Sequence, residues 1–274
     1  MHWLERTLEL RTRMEGGHLP RPVLLAADDQ RALLLEAGGL KERPLPEALA
    51  TQPSLAPLLD HTLLKAGATS AEIIALCAEA RAHGFASVCV NPAWVPLAAS
   101  QLAGSLVRVC TVVGFPLGAT SLAAKAFEAE QALRDGATEV DMVLDLGAAR
   151  EGDWARVQSD FRGVRAAVPR PAVLKVILET CLLDDAQKRR ACALAAEEGL
   201  DFVKTSTGFS TGGATAADVA LMRGVVGESL GVKASGGIRT FDQALAMVQA
   251  GATRLGVSAS LAIIGASQGP ALGY

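Results

Sequence analysis

The sequence predicts an α/β fold, a (β/α)8 TIM barrel with an N-terminal helical extension. From about residue 55, eight short apolar or β-branched runs alternate with longer helical patterns. The runs are almost continuously hydrophobic, which is typical of parallel strands covered by helices on both faces. Eight strand–helix units favour closure into a barrel. An open doubly wound sheet is the alternative, but no G-x-G-x-x-G motif follows the first predicted strand.

The predicted elements carry local start and stop signals. The strands are expected at residues 57–64, 86–91, 107–113, 139–145, 172–178, 201–207, 231–235 and 254–258. Helices are expected at residues 70–84, 121–136, 185–199 and 216–231. Each of these helical segments ends in a glycine, the usual C-terminal stop, and the predicted N-caps are Ser70, Asp185 and Thr215.

Residues 1–53 lie outside the barrel pattern. Segments 3–13 and 27–39 are expected to form two short helices, and the proline-bearing segment 43–53 to form a connector. We interpret residues 1–53 as a helical extension that packs on the barrel or on a neighbouring subunit. The barrel is then expected over residues 54–266, with a flexible tail at 267–274.

Composition excludes several classes of partner. A net charge of −3 gives no reason to expect nucleic acid or an acidic membrane. No apolar run approaches the roughly 20 residues that span a bilayer, and the N-terminus is charged where a signal peptide is apolar. A cytoplasmic protein is therefore expected. Five cysteines without a C-x-x-C pair indicate reduced thiols, and the scattered histidines argue against a metal site.

Three lysines lie inside predicted strands, although only 7 of the 26 basic residues are lysines. Lys175, Lys204 and Lys233 are 29 residues apart on the fifth, sixth and seventh strands, and Asp141 lies on the fourth. Catalytic groups of barrels cluster at the C-terminal ends of the strands, so these four are expected to converge. The alternative is that each lysine points outward and pairs with an acid, which three lysines in register make less favourable.

This convergence has a chemical consequence. Low dielectric and neighbouring ammonium groups both disfavour a charged lysine, so one of the three is expected to have a lowered pKa. A neutral amine is the nucleophile that Schiff-base chemistry requires. A second ammonium could hold a proton, and the carboxylate could relay one.

Two glycine-bearing loops predict a phosphate site. The segments 234–240 (ASGGIRT) and 255–260 (LGVSAS) follow the seventh and eighth strands, where barrels often bind phosphate. Gly236 and Gly237 allow backbone N–H groups to approach an anion closely. Arg239 could add charge and Ser258 a hydroxyl.

Eight motifs occur in one order across about residues 55–265: LLDHTLL, SVCVNP, TVVGFPLG, EVDMV, LKVILET, DFVKTSTGF, KASGGIRT and RLGVS. In this combination the chain resembles the deoxyribose-phosphate aldolase family. The resemblance implies a class I aldolase that needs neither metal nor organic cofactor. Such enzymes reversibly cleave 2-deoxy-D-ribose 5-phosphate to acetaldehyde and D-glyceraldehyde 3-phosphate, so the implied partners are aldehydes and sugar phosphates. A homodimer or homotetramer is expected.

The resemblance also implies roles for single residues. Lys204 resembles the Schiff-base nucleophile, Lys233 the lysine that promotes the neutral form of the nucleophile, and Asp141 the carboxylate of the proton relay. Lys175 is expected to line the same cavity. The implied pocket walls are Asp60, Thr62, Cys89 and Thr205, and the implied phosphate-side residues, besides those above, are Gly208 and Gly256.

Three features depart from the family pattern or extend it. Ala259 stands where a hydroxyl is common, with Ser260 beside it, and Asp145 stands where an asparagine is usual. Both changes are expected to bear on phosphate affinity rather than on covalent chemistry. Tyr274, the single tyrosine, could bring a phenol from the tail to the substrate.

Two rival interpretations stay open at this point. One is another Schiff-base barrel, such as a transaldolase-like or related sugar-phosphate aldolase. The other is a phosphosugar-binding barrel without catalysis, which the presence of Lys204, Lys233 and Asp141 argues against.

Overall fold

The central feature of the molecule is a closed barrel of eight parallel strands. A computed structural model describes the backbone of Val23–Ala27, Arg31–Glu36 and Gly39–Pro44, and all of residues 55–265. Each barrel strand pairs in parallel with the next along the chain, and the last pairs with the first. The strands are β4 Leu59–Leu63, β5 Ser87–Val90, β6 Arg108–Val113, β7 Glu139–Val143, β8 Val173–Ile177, β9 Phe202–Lys204, β10 Gly231–Ser235 and β11 Arg254–Val257. The predicted barrel is confirmed.

Helices separate the strands of the barrel. Their bounds are α1 Ser70–His83, α2 Val95–Leu102, α3 Leu122–Arg134, α4 Leu146–Glu151, α5 Trp154–Ala167, α6 Asp185–Glu197, α7 Ala216–Val226, α8 Phe241–Gln249 and α9 Ser260–Ile263. Short 3-10 helices lie at Ala56–Leu58, Pro92–Trp94 and Thr180–Leu182. All four helices predicted between the barrel strands are present.

Two of the predicted N-caps are wrong by one residue. Thr69 and Asp184 cap α1 and α6, each in a capping box, so that Ser70 and Asp185 are the first helical residues. The extended backbone of the preceding residue aims its side-chain oxygen at the N–H of the third helical residue, which decides the choice. Thr215 caps α7 as predicted, but that helix ends at Val226 rather than at residue 231.

The N-terminal segment contains a three-stranded antiparallel sheet, β1 Val23–Ala27, β2 Arg31–Glu36 and β3 Gly39–Pro44, in that order. The helix expected at residues 27–39 is therefore wrong over β2. Its apolar run, Ala32 to Leu35, is too short for periodicity to separate helix from strand, and pairing with two neighbours satisfies its backbone. The other predicted helix, at residues 3–13, and the tail at 267–274 lie outside the described residues.

Alternation along the barrel strands decides which side chains enter the interior. On β8, Leu174 and Val176 belong to the hydrophobic core shared with the helices, whereas Lys175 lies between them in sequence and points the other way. The same parity places Val140 and Met142 of β7 in that core. β7 and β8 therefore bury apolar side chains toward the helices and charged ones inside the barrel.

A buried ion pair between Lys125 and Asp160 lies in the helix layer around the barrel. Lys125 of α3 has no exposed surface, and its Nζ donates to Asp160 Oδ2 at 2.6 Å and to the carbonyl oxygen of Val143 at 2.9 Å. Val143 is the last residue of β7, two positions after Asp141. This ion pair thus ties α3 and α5 to the strand that carries the central carboxylate.

Replacing Lys125 with methionine is expected to lower the free energy of unfolding by about 3–5 kcal/mol, because a buried carboxylate loses its partner. Thermal and urea denaturation measure the change. As a control, replacing Arg134, whose contact with Glu130 at 3.7 Å lies on the surface, should cost less than about 1 kcal/mol. Equal losses for the two variants would contradict a specific role for the buried pair.

Candidate active site

The barrel interior brings together the four residues predicted to converge. Lys204 of β9 pairs in register with Lys233 of β10, so these two lie at the same level. Asp141 of β7 pairs with Lys175 of β8. Lys175 pairs in turn with Phe202, two residues before Lys204, so it lies one inward-facing position deeper than expected.

Asp141 is the carboxylate on which the lysines meet. Its Oδ1 accepts from Lys175 Nζ at 2.8 Å. Its Oδ2 accepts from Lys204 Nζ at 2.9 Å and from Lys233 Nζ at 2.8 Å. The Cys110 thiol also lies 3.2 Å from Oδ1. One carboxylate therefore serves three ammonium groups.

Lys204 differs from the other two lysines in its access to solvent and in its number of acidic partners. Lys175 and Lys233 are 0% exposed, whereas Lys204 is 3% exposed. Lys175 has a second carboxylate, Glu139, at 2.5 Å, and Lys233 has Asp60 at 2.5 Å. Within the described residues Lys204 makes one ion pair, with Asp141 at 2.9 Å. It is therefore the cation of the cluster with the least compensation and the most access.

The ion pairs of the cluster decide the direction of the pKa shifts of Asp141, Lys175 and Lys233. Burial raises the pKa of the Asp141 carboxyl, but Lys175, Lys204 and Lys233 outweigh burial and hold that pKa well below its usual value. Burial alone would lower the pKa of Lys175 and Lys233. Their carboxylate neighbours, Asp141 foremost, instead raise the pKa of both lysines. Neighbouring ammonium groups were expected to lower a lysine pKa. For Lys175 and Lys233 this effect is outweighed, because each ammonium contacts two carboxylates.

The sequence interpretation missed two charged residues below this cluster. Glu139 lies two positions before Asp141 on β7, on the same face of the strand, and Arg254 begins β11. Arg254 Nη1 lies 2.7 Å from Asp60 Oδ1 and 3.3 Å from Glu139 Oε2. Asp60 is thus a buried ion-pair partner rather than a pocket wall alone, and Ser87 also donates to it at 2.6 Å. The shared strand parity of Glu139 and Asp141 was the signal that could have revealed the first of them.

The other predicted pocket residues lie close to the cluster but are engaged with other groups. Thr62 donates to the carbonyl oxygen of Asp60 at 2.9 Å. The Thr205 hydroxyl donates to the carbonyl of Ser235 at 3.1 Å and accepts from its N–H, which joins the ends of β9 and β10. Cys89 is buried and shares a hydrogen bond with the Cys110 thiol.

A strained residue supports the loop that follows Lys204. Glu179 has φ 54°, the left-handed region, as the one non-glycine residue with positive φ within the described part of the chain. Its carboxylate accepts from the N–H of Thr207 at 3.3 Å and from the hydroxyl of the same residue. Strain of this kind persists where the surrounding contacts enforce it. Glu179 therefore holds the backbone between Lys204 and Gly208.

The loop after β10, one of the two segments predicted to bind phosphate, contacts the loop that contains Gly208. Gly208, Gly236 and Gly237 have φ of 87°, 89° and 81°, values that favour glycine. The backbone N–H of Ala214 donates to the carbonyl of Gly236 at 3.0 Å, so the loops after β9 and β10 contact each other. Arg239 is exposed and Ser258 is half-buried, both beyond the ends of their strands.

Gly256 has a different place from the other glycines. It lies within β11, and a Cβ there would stand 2.9 Å from Lys233 Cε and 3.0 Å from Ser235 Cβ. Position 256 faces the barrel interior, and because glycine has no Cβ there, the Lys233 side chain has space to reach Asp141.

The departures from the family motifs are explained by local contacts. Asp145 caps α4 by accepting from Ala148 N–H at 3.1 Å, and its other oxygen pairs with Arg156 at 2.6 Å. Its extra negative charge is therefore compensated. Ser260 is buried and donates to the carbonyl of Val257 at 3.4 Å, so its hydroxyl is engaged with the backbone. Tyr274 lies outside the described residues.

Two overlapping groups of buried side chains have ligand atoms close enough to hold a metal ion, Cys89–Cys110–Asp141 and Asp60–Cys110–Glu139. The carboxylates of both groups already contact lysine or arginine nitrogens at 2.5–3.3 Å. A cation would have to displace these ammonium and guanidinium groups, so the donor set suits amine chemistry better than metal binding.

A (β/α)8 barrel with buried amines around a carboxylate in its interior has the features of a lysine-dependent aldolase. The model of the DeoC/LacD aldolase family matches residues 55–269, and the chain belongs to this family. The deoxyribose-phosphate aldolases of Bacillus cereus (strain AH187) and Geobacillus sp. (strain WCH70) are 57% and 56% identical to it over 211 residues. That alignment covers 77% of this chain and 95% of each relative.

A solved structure extends the likeness to three dimensions. The tetrameric deoxyribose phosphate aldolase from Aeropyrum pernix is 36% identical and superimposes with a TM-score of 0.72. The match covers 77% of this chain and 89% of the Aeropyrum chain. Within residues 55–265, none of the helices combines the length and the apolar character needed to cross a membrane.

Proposed function

We propose that this chain is a class I aldolase that reversibly cleaves 2-deoxy-D-ribose 5-phosphate to acetaldehyde and D-glyceraldehyde 3-phosphate through a Schiff base on Lys204. The observation that carries the proposal is the shared carboxylate. Asp141 Oδ2 lies 2.9 Å from Lys204 Nζ and 2.8 Å from Lys233 Nζ. A nucleophile, a proton carrier and a relay group are therefore in direct contact.

The charge balance of the cluster supports Lys204 as the nucleophile. Lys175, Lys204, Lys233 and Arg254 provide four positive charges, and the three buried carboxylates around them leave one positive charge in excess within the described interior. Loss of one proton restores balance, and arginine does not lose one in proteins. Lys204 can give it up while breaking the fewest ion pairs.

In the synthetic direction the neutral amine of Lys204 adds to the carbonyl carbon of acetaldehyde. The relay then gives a proton to the hydroxyl of this adduct, which leaves as water, and the iminium forms. Asp141, acting with Lys233, takes a proton from the methyl group, so that the C–H electron pair moves toward the iminium nitrogen and an enamine forms. The enamine carbon attacks the aldehyde carbon of glyceraldehyde 3-phosphate, and the relay returns a proton to the new hydroxyl. Addition of water then releases the sugar phosphate and Lys204.

The direct test is turnover of 2-deoxy-D-ribose 5-phosphate, measured as acetaldehyde release. We expect release that EDTA leaves unchanged, because the lysine iminium is the electron sink. Loss of activity on chelation would indicate a metal-dependent aldolase instead. Binding of the sugar phosphate without release would favour a phosphosugar-binding barrel.

We assign the phosphate to the loops at residues 236–239 and 256–258, with Gly208 beside them. Replacing the exposed Arg239 with alanine is expected to raise KM for 2-deoxy-D-ribose 5-phosphate about tenfold, the effect of one charge-assisted hydrogen bond. The kcat/KM for unphosphorylated 2-deoxy-D-ribose should not change. The matched control is Arg134→Ala, an arginine side chain 57% exposed near the end of α3. An equal loss on both substrates would contradict a phosphate role.

We further propose a homodimer or homotetramer in the cytoplasm. The tetrameric state of the Aeropyrum pernix enzyme supports an assembly of this kind. Large exposed apolar side chains on the barrel, Leu106 at 62% and Phe127 at 65%, are compatible with subunit contacts. Light scattering after size exclusion determines the mass, and a monomer at micromolar concentration would exclude both assemblies.

A further inference from the structure

Six buried charged side chains form a closed ring in which positive and negative groups alternate. In order, the members are Arg254, Asp60, Lys233, Asp141, Lys175 and Glu139. The upper part of the ring has N–O distances of 2.5 Å from Lys233 to Asp60, and 2.8 Å from Asp141 to both Lys233 and Lys175. In the lower part, Lys175 lies 2.5 Å from Glu139. Arg254 lies 3.3 Å from Glu139 and 2.7 Å from Asp60, which closes the ring.

The ring is electrically neutral by itself, with three charges of each sign. Lys204 stands outside it and is attached through Asp141 Oδ2 at 2.9 Å. Lys175 and Lys233 share Asp141 with Lys204, and these two lysines connect Asp141 to Glu139 and, through Asp60, to Arg254. Phe202 lies near two cations of the ring, with its ring centre 5.9 Å from Lys175 Nζ and 5.6 Å from Arg254 Cζ. The aromatic face further stabilises these two positive charges.

We propose that Arg254 and Glu139 are positioning residues that fix the charge of this ring and thereby set the pH range in which Lys204 attacks a carbonyl. The inference rests on the proposed function, in which Lys204 is the nucleophile. The physical basis is that a charge added to or removed from a buried ring is poorly screened. A ring with one extra positive charge favours a neutral Lys204, and a ring with one extra negative charge favours its ammonium form.

All titratable groups that face Lys204 from the surrounding strands enter this balance. Asp141 is in direct contact, and the remaining buried groups are Lys175, Lys233, Asp60, Glu139, Arg254, Cys89 and Cys110. The partly exposed Arg108 of β6 adds a contact of 3.8 Å to Glu139. Burial raises the pKa of the Cys110 thiol well above its usual value, and the hydrogen bond with Cys110 lowers the pKa of Cys89. Both thiols are the same in every variant compared below, so the variants differ in the charge of the ring members.

The test compares two single variants that change the ring charge in opposite directions. The rate of imine formation with acetaldehyde is measured against pH by cyanoborohydride trapping and intact mass. We expect Glu139→Gln, which removes a negative charge, to move the midpoint down by about one pH unit. Arg254→Met, which removes a positive charge, should move the midpoint up by a similar amount. Movement of both midpoints in one direction, or of neither, would overturn the proposal.

Two further variants keep the test decisive where a single change weakens the fold. The charge-conserving Arg254→Lys should retain the midpoint of the unchanged protein. The double variant Glu139→Gln/Arg254→Met removes one charge of each sign, so the ring stays neutral and the midpoint should return. A midpoint that stays displaced in the double variant contradicts control by net charge. Absence of any adduct on Lys204 in the unchanged protein would refute the proposed function itself, which separates the two failures.

Discussion

Acetaldehyde with borohydride is expected to place one reduced two-carbon adduct on Lys204, and Lys204→Met is expected to abolish it. The variant should lose kcat by about 10⁴-fold or more, since removing a covalent nucleophile leaves only binding and the relay. Lys175 and Lys233 do not substitute, because both are 0% exposed and each is held by two carboxylates. Intact mass and peptide mapping identify the modified residue.

For Lys204→Met we also expect a specific effect on stability. Lys204 has one carboxylate partner, whereas Lys175 and Lys233 each have two, so replacing Lys204 with methionine removes the buried amine that the carboxylates compensate least. The free energy of unfolding should remain unchanged or rise, which distinguishes a loss of chemistry from a loss of fold. Lys188→Met serves as the control, because Lys188 of α6 pairs with Asp218 at 2.7 Å away from the barrel interior. An adduct that persists in Lys204→Met would refute the assignment of the nucleophile.

Replacing Asp141 with asparagine is expected to lower kcat by about 10²–10⁴-fold, the usual contribution of a positioned acid–base group. Asparagine retains the size of the side chain but cannot accept the methyl proton. The variant also leaves three buried ammonium groups without their common carboxylate, so the free energy of unfolding should fall by about 3–5 kcal/mol. Steady-state kinetics and urea denaturation measure the two effects.

Asp145→Asn is the matched control for this prediction, since it makes the same chemical change four positions later. Asparagine caps a helix as well as aspartate does, and the pair that is lost with Arg156 has a largely exposed partner at 62%. Activity and phosphate affinity should therefore stay close to those of the unchanged protein. Retention of full kcat in Asp141→Asn would exclude that carboxylate from the relay.

Local sequence signals were sufficient for the barrel but not for the N-terminal segment. The strand around Lys175 is a continuous apolar run interrupted by one lysine, and glycine stops such as Gly84 close the helices. In contrast, the four-residue apolar run inside Arg31–Glu36 has no periodicity that separates helix from strand, and pairing with two other strands decided its state. Helix boundaries moved by a residue at Thr69 and Asp184 because capping geometry, rather than residue type alone, selects the cap.

The sequence by itself determined the barrel, the three strand lysines and Asp141, because strand parity and repeat length are properties of the chain. Only the tertiary structure decided how their charges combine. Lys204 and Lys233 share one carboxylate oxygen of Asp141. Arg254 contacts both Asp60 and Glu139, which lie 194 and 115 positions before it in the chain. Burial makes these contacts strong and obligatory, since an unpaired charge there would be costly. Which lysine is left outside the neutral ring therefore depends on closure of the barrel, and it is Lys204.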